Sequence, residues 1–247
     1  MLPSHDDIGP LRRIVEAVCI AAAAALLLMH LARFLTVPFN VHWWKPLFVP
    51  LGMAAADLLS GLIHWSADTW GSETMPILGR RLLHPFRVHH VNPGDFLTRH
   101  FLDTNGDVAL IVLPFLVGMF AIPLHSVAGQ SAAAFMLGLC GVGLFTNQVH
   151  QWAHMPCPPR PVRLLQDCGI ILSGQAHQRH HHSPHVTDYC IATGWCNGPL
   201  NRLGAFRRLE RAVTWMTGIV PREDERSFQR STAQTQGASQ HGNAEYK

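Results

Sequence analysis

Ser131-Ala-Ala-Ala-Phe-Met-Leu-Gly-Leu-Cys-Gly-Val-Gly-Leu-Phe145 runs without a break into Thr146-Asn147-Gln148-Val149-His150-Gln151-Trp152-Ala153-His154. The first part is apolar after its opening serine, and the second closes on two histidines four residues apart. Positions i and i+4 share one face of a helix. The stretch therefore reads as a membrane-crossing helix that carries two imidazoles at its end, the spacing by which one helix gives a metal two ligands. A pair of interfacial histidines is the plain alternative.

A bilayer crossing needs about 20 mostly apolar residues, with about 17 as the lower end. Three further runs qualify. Ile14 to Leu35 is interrupted by Glu16, His30 and Arg33; Trp44 to Ile63 has Trp43 and Trp44 as interfacial anchors; Val108 to Leu124 contains Pro114 and is expected to pair tightly with the run at 131–148. Ile170-Ile171-Leu172 is too short to cross and is expected in or on the interface. Arg12 and Arg13 precede the first run as in a signal peptide, but no small-residue cleavage site follows, so an uncleaved anchor is expected.

The expected fold is all-α: an integral membrane four-helix bundle with a cytoplasmic histidine-rich helical cap. It divides into a cytoplasmic N-terminal segment 1–13, a membrane domain 14–220 and a polar, disordered tail 221–247. With four crossings the termini and the loop 64–107 share one side, where 17 of the 19 Lys and Arg residues fall; Arg33 and Lys45 sit at membrane borders. Basic residues mark the cytoplasmic side.

Charged residues make up 14% of the 247, against about 25% in ordinary soluble domains. A net charge of +3 gives no basis for nucleic-acid binding. A disordered chain, a coiled coil and a disulfide-stapled secreted domain are excluded. The six cysteines contain no Cys-x-x-Cys pair and read as reduced; Cys190 and Cys196, close to the histidines, are candidates to support them. No Asn-x-Ser/Thr acceptor occurs.

The third anomaly is seventeen histidines, sixteen of them before the tail. His64 closes the second run in a stripe with Asp57, Gly61 and Asp68, at offsets that keep one helical face. Asp57 then lies within the bilayer, where a carboxylate needs a partner. It is read as holding a ligand imidazole, not as a ligand itself, with a structural bond to Ser or backbone as the bland reading. Arg87-Val-His89-His90-Val-Asn-Pro93 places an adjacent pair in a loop. His177-Gln-Arg-His180-His181-His182-Ser-Pro-His185 keeps His177, His180, His181 and His185 together if helical, with Pro184 ending the helix and His182 pointing elsewhere. His-His-x-x-Pro occurs twice, at 89–93 and 180–184.

His64, His89, His90, His150, His154, His177, His180, His181 and His185 are nine metal-ligand candidates. One catalytic zinc takes three protein ligands, so nine suit two ions better than one. Imidazole suits Zn, Cu, Fe and Ni. No His-Glu-x-x-His occurs, against a metalloprotease. Two irons held by imidazoles at a membrane face form an oxygen-activating site, and its apolar surroundings point to an acyl or alkyl chain. Asp68 and Asp57 are expected to orient His64 or hold water, and Asn147 and Gln148 to support His150.

These motifs resemble the Kua or CarF-type family of lipid desaturases, the plasmanylethanolamine desaturase family. The matching text includes Ser60-Gly-Leu-Ile-His64-Trp-Ser-Ala-Asp68-Thr-Trp-Gly71, Pro85-Phe-Arg-Val-His89-His90-Val-Asn-Pro93 and Thr98-Arg99-His100. It continues through Thr104-Asn105-Gly106-Asp107, Thr146-Asn147-Gln148-Val-His150-Gln-Trp152-Ala-His154, Leu164-Leu-Gln166-Asp167, His177-Gln-Arg-His180-His181, Ser183-Pro184-His185 and Tyr189-Cys190-Ile-Ala-Thr193-Gly194-Trp195. His84 and His182 fall outside the family pattern, and His100 is left out of the ligand set.

The resemblance implies a four-helix membrane desaturase with histidine boxes at His150–His154 and His177–His181. It implies insertion of a vinyl-ether double bond between carbons 1 and 2 of the sn-1 alkyl chain of an ether phospholipid. The implied cofactors are two Fe ions, with O2 as co-substrate and electrons from a cytochrome b5-like or ferredoxin-like carrier. Arg202 to Arg211 offer a basic face for such a carrier or for anionic headgroups, and equally a solvated helix face. Plastid relatives act on the acyl chain of phosphatidylglycerol, so an acyl-lipid desaturase or hydroxylase is the alternative enzyme. A non-enzymatic membrane metal or redox sensor is a third reading. A bacterial inner membrane is the expected location, with the endoplasmic reticulum second and the active site cytoplasmic.

Overall fold

Polar side chains do not stop these helices where hydropathy does, because a helix satisfies its own backbone and lets Asn, Gln and Thr pair with a neighbour. A computed structural model describes residues 9–37, 44–182 and 184–222. In chain order the helices are α1 (Pro10–Thr36), α2 (Phe48–Thr69), α3 (His84–Val91), α4 (Pro93–Thr98), α5 (Phe101–Gly118), α6 (Val127–His154), α7 (Arg160–Asp167), α8 (Gly174–His180), α9 (Asn197–Leu203) and α10 (Ala205–Thr217). No strand occurs among the described residues. The Trp43 anchor and the tail beyond Arg222 lie outside them.

α1, α2 with its 3-10 entry at Lys45–Leu47, α5 extended to Ala121, and α6 are long and apolar enough to cross a membrane. The chain is a multi-pass membrane protein of the expected all-helical class. The remaining helices are shorter, and two of them, α3 and α8, bring histidines to those at the C-terminal ends of α2 and α6. Two expectations are corrected. The third crossing starts at Phe101, not Val108, because its polar first turns are bonded to α6: Asn105 Nδ2 donates to Gln148 Oε1 at 3.1 Å and Asn147 Nδ2 to the Thr104 carbonyl at 2.9 Å. The most extensive pairing of α6 is with α2, not α5.

That pairing rests on two glycines facing each other across the interface. A Cβ on Gly52 would run into the Phe135 carbonyl of α6, and one on Gly138 into the Val49 carbonyl of α2. Small residues let membrane helices approach this closely. Gly138→Leu is expected to push α2 from α6 and lower the thermal midpoint of the purified protein by at least several degrees, at a cost of about 1–3 kcal/mol or more. Gly141→Ala, where an added Cβ meets nothing within 4 Å, should leave it unchanged. Equal midpoints for both variants would remove the crossing as the cause.

α1 joins the bundle through α5, with Ala23 and Ala109 fully buried in a core that includes Cys19, Val112, Leu116 and Leu144. Leu172, expected at the interface, is instead buried in a core with Val149, Ala153 and Ile191. The cysteines are free, as expected.

Candidate metal centre

Adjacent residues on a helix point about 100° apart, and this decides how the histidines are shared out. His89 and His90 belong to α3, not to the expected loop. They part into two neighbouring sets of donor atoms. One set is His89, His150, His154, His177 and His181; the other is His64, Asp68, His90 and His180. At α8, His177 and its i+4 partner His181, the residue that caps the helix, enter the first set, while His180 enters the second. Four segments thus contribute, and α3 and α8 each serve both sets.

In the first set the Nε2 atoms converge. His177 Nε2 lies 2.9 Å from those of His150 and His154 and 3.0 Å from that of His181, and His150 and His154 are 3.3 Å apart. Around one ion with metal–nitrogen bonds of about 2.0–2.1 Å, adjacent donors at right angles sit about 3.0 Å apart. The spacing fits a shared cation.

In the second set Asp68 Oδ2 lies 3.3 Å from His64 Nε2, 3.2 Å from His90 Nε2 and 3.5 Å from His180 Nε2. His64 Nδ1 donates to the Tyr189 carbonyl at 3.1 Å and His180 Nδ1 to the Thr187 carbonyl at 2.7 Å. A neutral imidazole that donates from Nδ1 has only a lone pair at Nε2. Lone pairs from two rings therefore face a carboxylate, an arrangement that a cation between them turns from repulsive to favourable. Neither carboxylate oxygen of Asp68, nor Nε2 of His64 and His89, has a hydrogen-bond partner although all are buried. Buried groups of this kind are costly unless they coordinate or pair. The residues fit a pair of metal ions, and the donor set of imidazoles with one carboxylate suits a transition metal.

Burial holds His89, His177 and His181 below the ordinary imidazole range, and neighbouring imidazoles add to it. Burial lowers His90 too, against the opposing charge of Asp68. The neutral form is the one that ligates metal.

Of the expected site residues, eight of the nine histidines enter the two sets. His185 does not: α8 ends at His180 and the chain turns back through His185 in the left-handed region, φ 57°. Its Nδ1 bonds to the His180 carbonyl at 3.0 Å and its ring centre is 5.0 Å from that of His90. His182 is exposed, as expected, and bonds to the Gln178 carbonyl. Asp68, expected as a support, stands among the donors. Asp57 does not orient His64; its carboxylate accepts from the backbone N–H groups of Ala192, Thr193, Gly194 and Cys196. Asn147 and Gln148 tie α6 to α5 through Thr104 and Asn105. Cys190 and Cys196 pack on α2 at Gly61 and Ala54.

A cavity of about 240 Å³ opens against the first set, with His89 and His150 in its wall. From there it descends between α2, α5 and α6 to Ala56, Phe115 and Leu139. Its polar end carries Arg81, Arg99, Asp103 and Asp107. The model of the lipid desaturase domain matches residues 53–224.

The chain belongs to the lipid desaturase family.

This desaturase is 39% identical to plasmanylethanolamine desaturase of Myxococcus xanthus, over 88% of its own length and 77% of that protein. It is 39% identical to plasmanylethanolamine desaturase 1 of Mus musculus, over 88% and 83% of the two chains. Similarity extends to fatty acid desaturase 4-like 1, chloroplastic, of Arabidopsis thaliana, at 31% identity over 82% and 68%. No solved structure matches the desaturase. It is an oxidoreductase that acts on a lipid in a membrane. Sequence reasoning missed the carbonyls of Thr187 and Tyr189, which aim two of the imidazoles, because a backbone group carries no sequence signal. It also passed over the charged mouth of the cavity, for which the clustering of Arg99, Asp103 and Asp107 around one motif was available.

Proposed function

We propose that this desaturase introduces the vinyl-ether double bond between carbons 1 and 2 of the sn-1 alkyl chain of plasmanylethanolamine, a step of plasmalogen synthesis. The observation that carries the reading is the position of the imidazoles along the cavity. His150 lies one turn beyond Asn147, whose side chain bonds to Thr104 between the charged residues Asp103 and Asp107. From His150 the cavity wall continues along α6 to Leu139, eleven residues and about 16 Å deeper. A lipid seated with its headgroup at the charged mouth and its chain in the apolar end brings its first carbons, not its middle, to His89 and His150. The names of the relatives from Myxococcus and mouse agree with that substrate.

In this reading His89, His150, His154, His177 and His181 hold one iron, and His64, His90 and His180 with Asp68 hold the other, with His185 beside His90. Two irons would supply, with O2 and two electrons from a cytochrome b5-like or ferredoxin-like carrier, the oxidant that removes hydrogen from an unactivated carbon. One hydrogen leaves each of two neighbouring carbons, and O2 is reduced to water with two further protons. The apolar wall keeps water from the alkyl chain and holds it straight past His89. The Thr187 and Tyr189 carbonyls fix the tautomers of His180 and His64. Asn147 keeps α5 against α6 at the cavity wall, and Asp57 anchors the loop that carries Tyr189. The centre faces the cytoplasm, at the bacterial inner membrane.

The Arabidopsis relatives, named as fatty acid desaturases, favour a second substrate for the same geometry: an acyl chain oxidised close to its ester. Lipid mass spectrometry separates the two. Cells expressing the chain and fed a labelled alkyl-acyl phosphoethanolamine should accumulate an acid-labile product lighter by one pair of hydrogens, absent from control cells. Desaturated acyl chains with no acid-labile ether would transfer the assignment to the second substrate.

A further inference from the structure

The mouth of the cavity is a small charge lattice built from four elements: α1, the helical turn Gly79–Leu83, α4 with Arg99 at its end, and α5. Asp107 of α5 is 3.0 Å from Arg12 and 3.8 Å from Arg81, and Arg12 also meets Glu16 at 2.8 Å. Asp103, one turn earlier on α5, has a side chain only 5% exposed, and its Oδ1 has no hydrogen-bond partner; Arg13 Nε is 3.7 Å away. Arg99 is 11% exposed, reaches Asp95 at 3.4 Å, and its Nε has no hydrogen-bond partner. Buried charges keep unfilled bonding positions only at a cost. Asp103 and Arg99 keep them in the wall of a cavity that continues into apolar space.

The signs are balanced. Arg12, Arg13, Arg81 and Arg99 stand with Glu16, Asp95, Asp103 and Asp107. A site for an anionic headgroup would carry an excess of cations, whereas a zwitterion is met best by both signs side by side. The geometry points to a headgroup site for a phosphoethanolamine lipid, in which Asp103 receives the ammonium and Arg99 and Arg81 the phosphate. Asp103 is thus a specificity-determining residue. The assignment rests on the reading of the cavity as the seat of the lipid chain, and it adds what selects the headgroup.

Retention of lipid by the purified full-length protein tests it without any turnover. The protein is equilibrated with vesicles containing equal amounts of alkyl-acyl lipids with ethanolamine, choline and glycerol headgroups, and bound lipid is identified by mass spectrometry. The natural chain should retain the ethanolamine lipid over the glycerol lipid by at least about tenfold, the size of a charged hydrogen bond. Asp103→Asn should bring that ratio close to one with iron content and thermal midpoint unchanged, and Asp103→Glu should restore part of it.

A headgroup series on the natural chain guards against a variant that does not fold. Retention should fall stepwise as the ammonium gains methyl groups. Equal retention of ethanolamine and glycerol lipids, no dependence on methylation, or an unchanged ratio in a folded Asp103→Asn protein would each overturn the headgroup site. Selective retention without any vinyl-ether product would leave the headgroup site standing and remove the proposed reaction.

Discussion

His181→Ala is expected to abolish desaturated lipid and to lower metal content, while His182→Ala, one residue along, leaves both at the level of the natural chain. His181 Nε2 is 3.0 Å from His177 Nε2 within the converging set. The ring of His182 is exposed and bonded to the Gln178 carbonyl at 2.7 Å. One step along the chain, just past the end of α8, separates a donor from a bystander. Loss of groups that merely support metal ligands costs about 10–100-fold in affinity or activity, so loss of His181 itself should exceed that, with product falling at least about hundredfold. Iron per chain by elemental analysis and product by lipid mass spectrometry read the two effects separately. Equal damage from both substitutions would overturn the ligand assignment.

Asp57→Ala should prevent the chain from accumulating in a folded form, for a reason unrelated to chemistry at the metals. The Asp57 carboxylate is fully buried within α2 and receives N–H groups from Thr193 and Gly194 at 2.8 Å, from Cys196 at 3.0 Å and from Ala192 at 3.2 Å. Ser60 adds a fifth anchor, its Oγ receiving the Ile191 N–H at 3.1 Å. Each buried donor left without a partner costs about 1–3 kcal/mol, so four together approach the whole stability of a typical domain, about 5–15 kcal/mol. Asp57→Asn keeps an oxygen for the three N–H groups at Oδ1 and loses only the bond to Cys196. It should fold with a lower thermal midpoint and retain its iron. Folded yield by size-exclusion chromatography and iron per folded chain check this. A fully folded, iron-free Asp57→Ala protein would instead make Asp57 part of the centre itself.

Four crossings were legible because long apolar runs have few other uses, and the pairs His150–His154 and His177–His181 because i and i+4 need no tertiary information. The division of adjacent histidines was not. His89–His90 and His180–His181 look like duplicated ligands in a linear reading, yet on a helix adjacent side chains diverge, and each pair reaches into both sets. The helix at 84–91 itself was hidden by Pro93 and by the polar residues around it. Asp57 was rightly singled out as a buried carboxylate in need of a partner, but its partners are backbone groups of a loop some 135 residues later. Hydropathy began the third crossing too late, at Val108, since it scores Thr104 and Asn105 as exposed when they are inside, and it carried the crossing to Leu124, past its end at Ala121.

With the lipid seated as proposed, the placement of the imidazoles at the charged end of the cavity would make the bundle a ruler whose zero mark is the headgroup. Position along the chain is counted from the membrane surface inward, not from the methyl end outward. Chains of different length then share one origin and differ only in how far they extend past Phe115 and Leu139. An enzyme that seats its lipid in the proposed way would fix where the double bond goes while remaining indifferent to how long the tail is, and would leave lipid selection to the charged residues at the mouth.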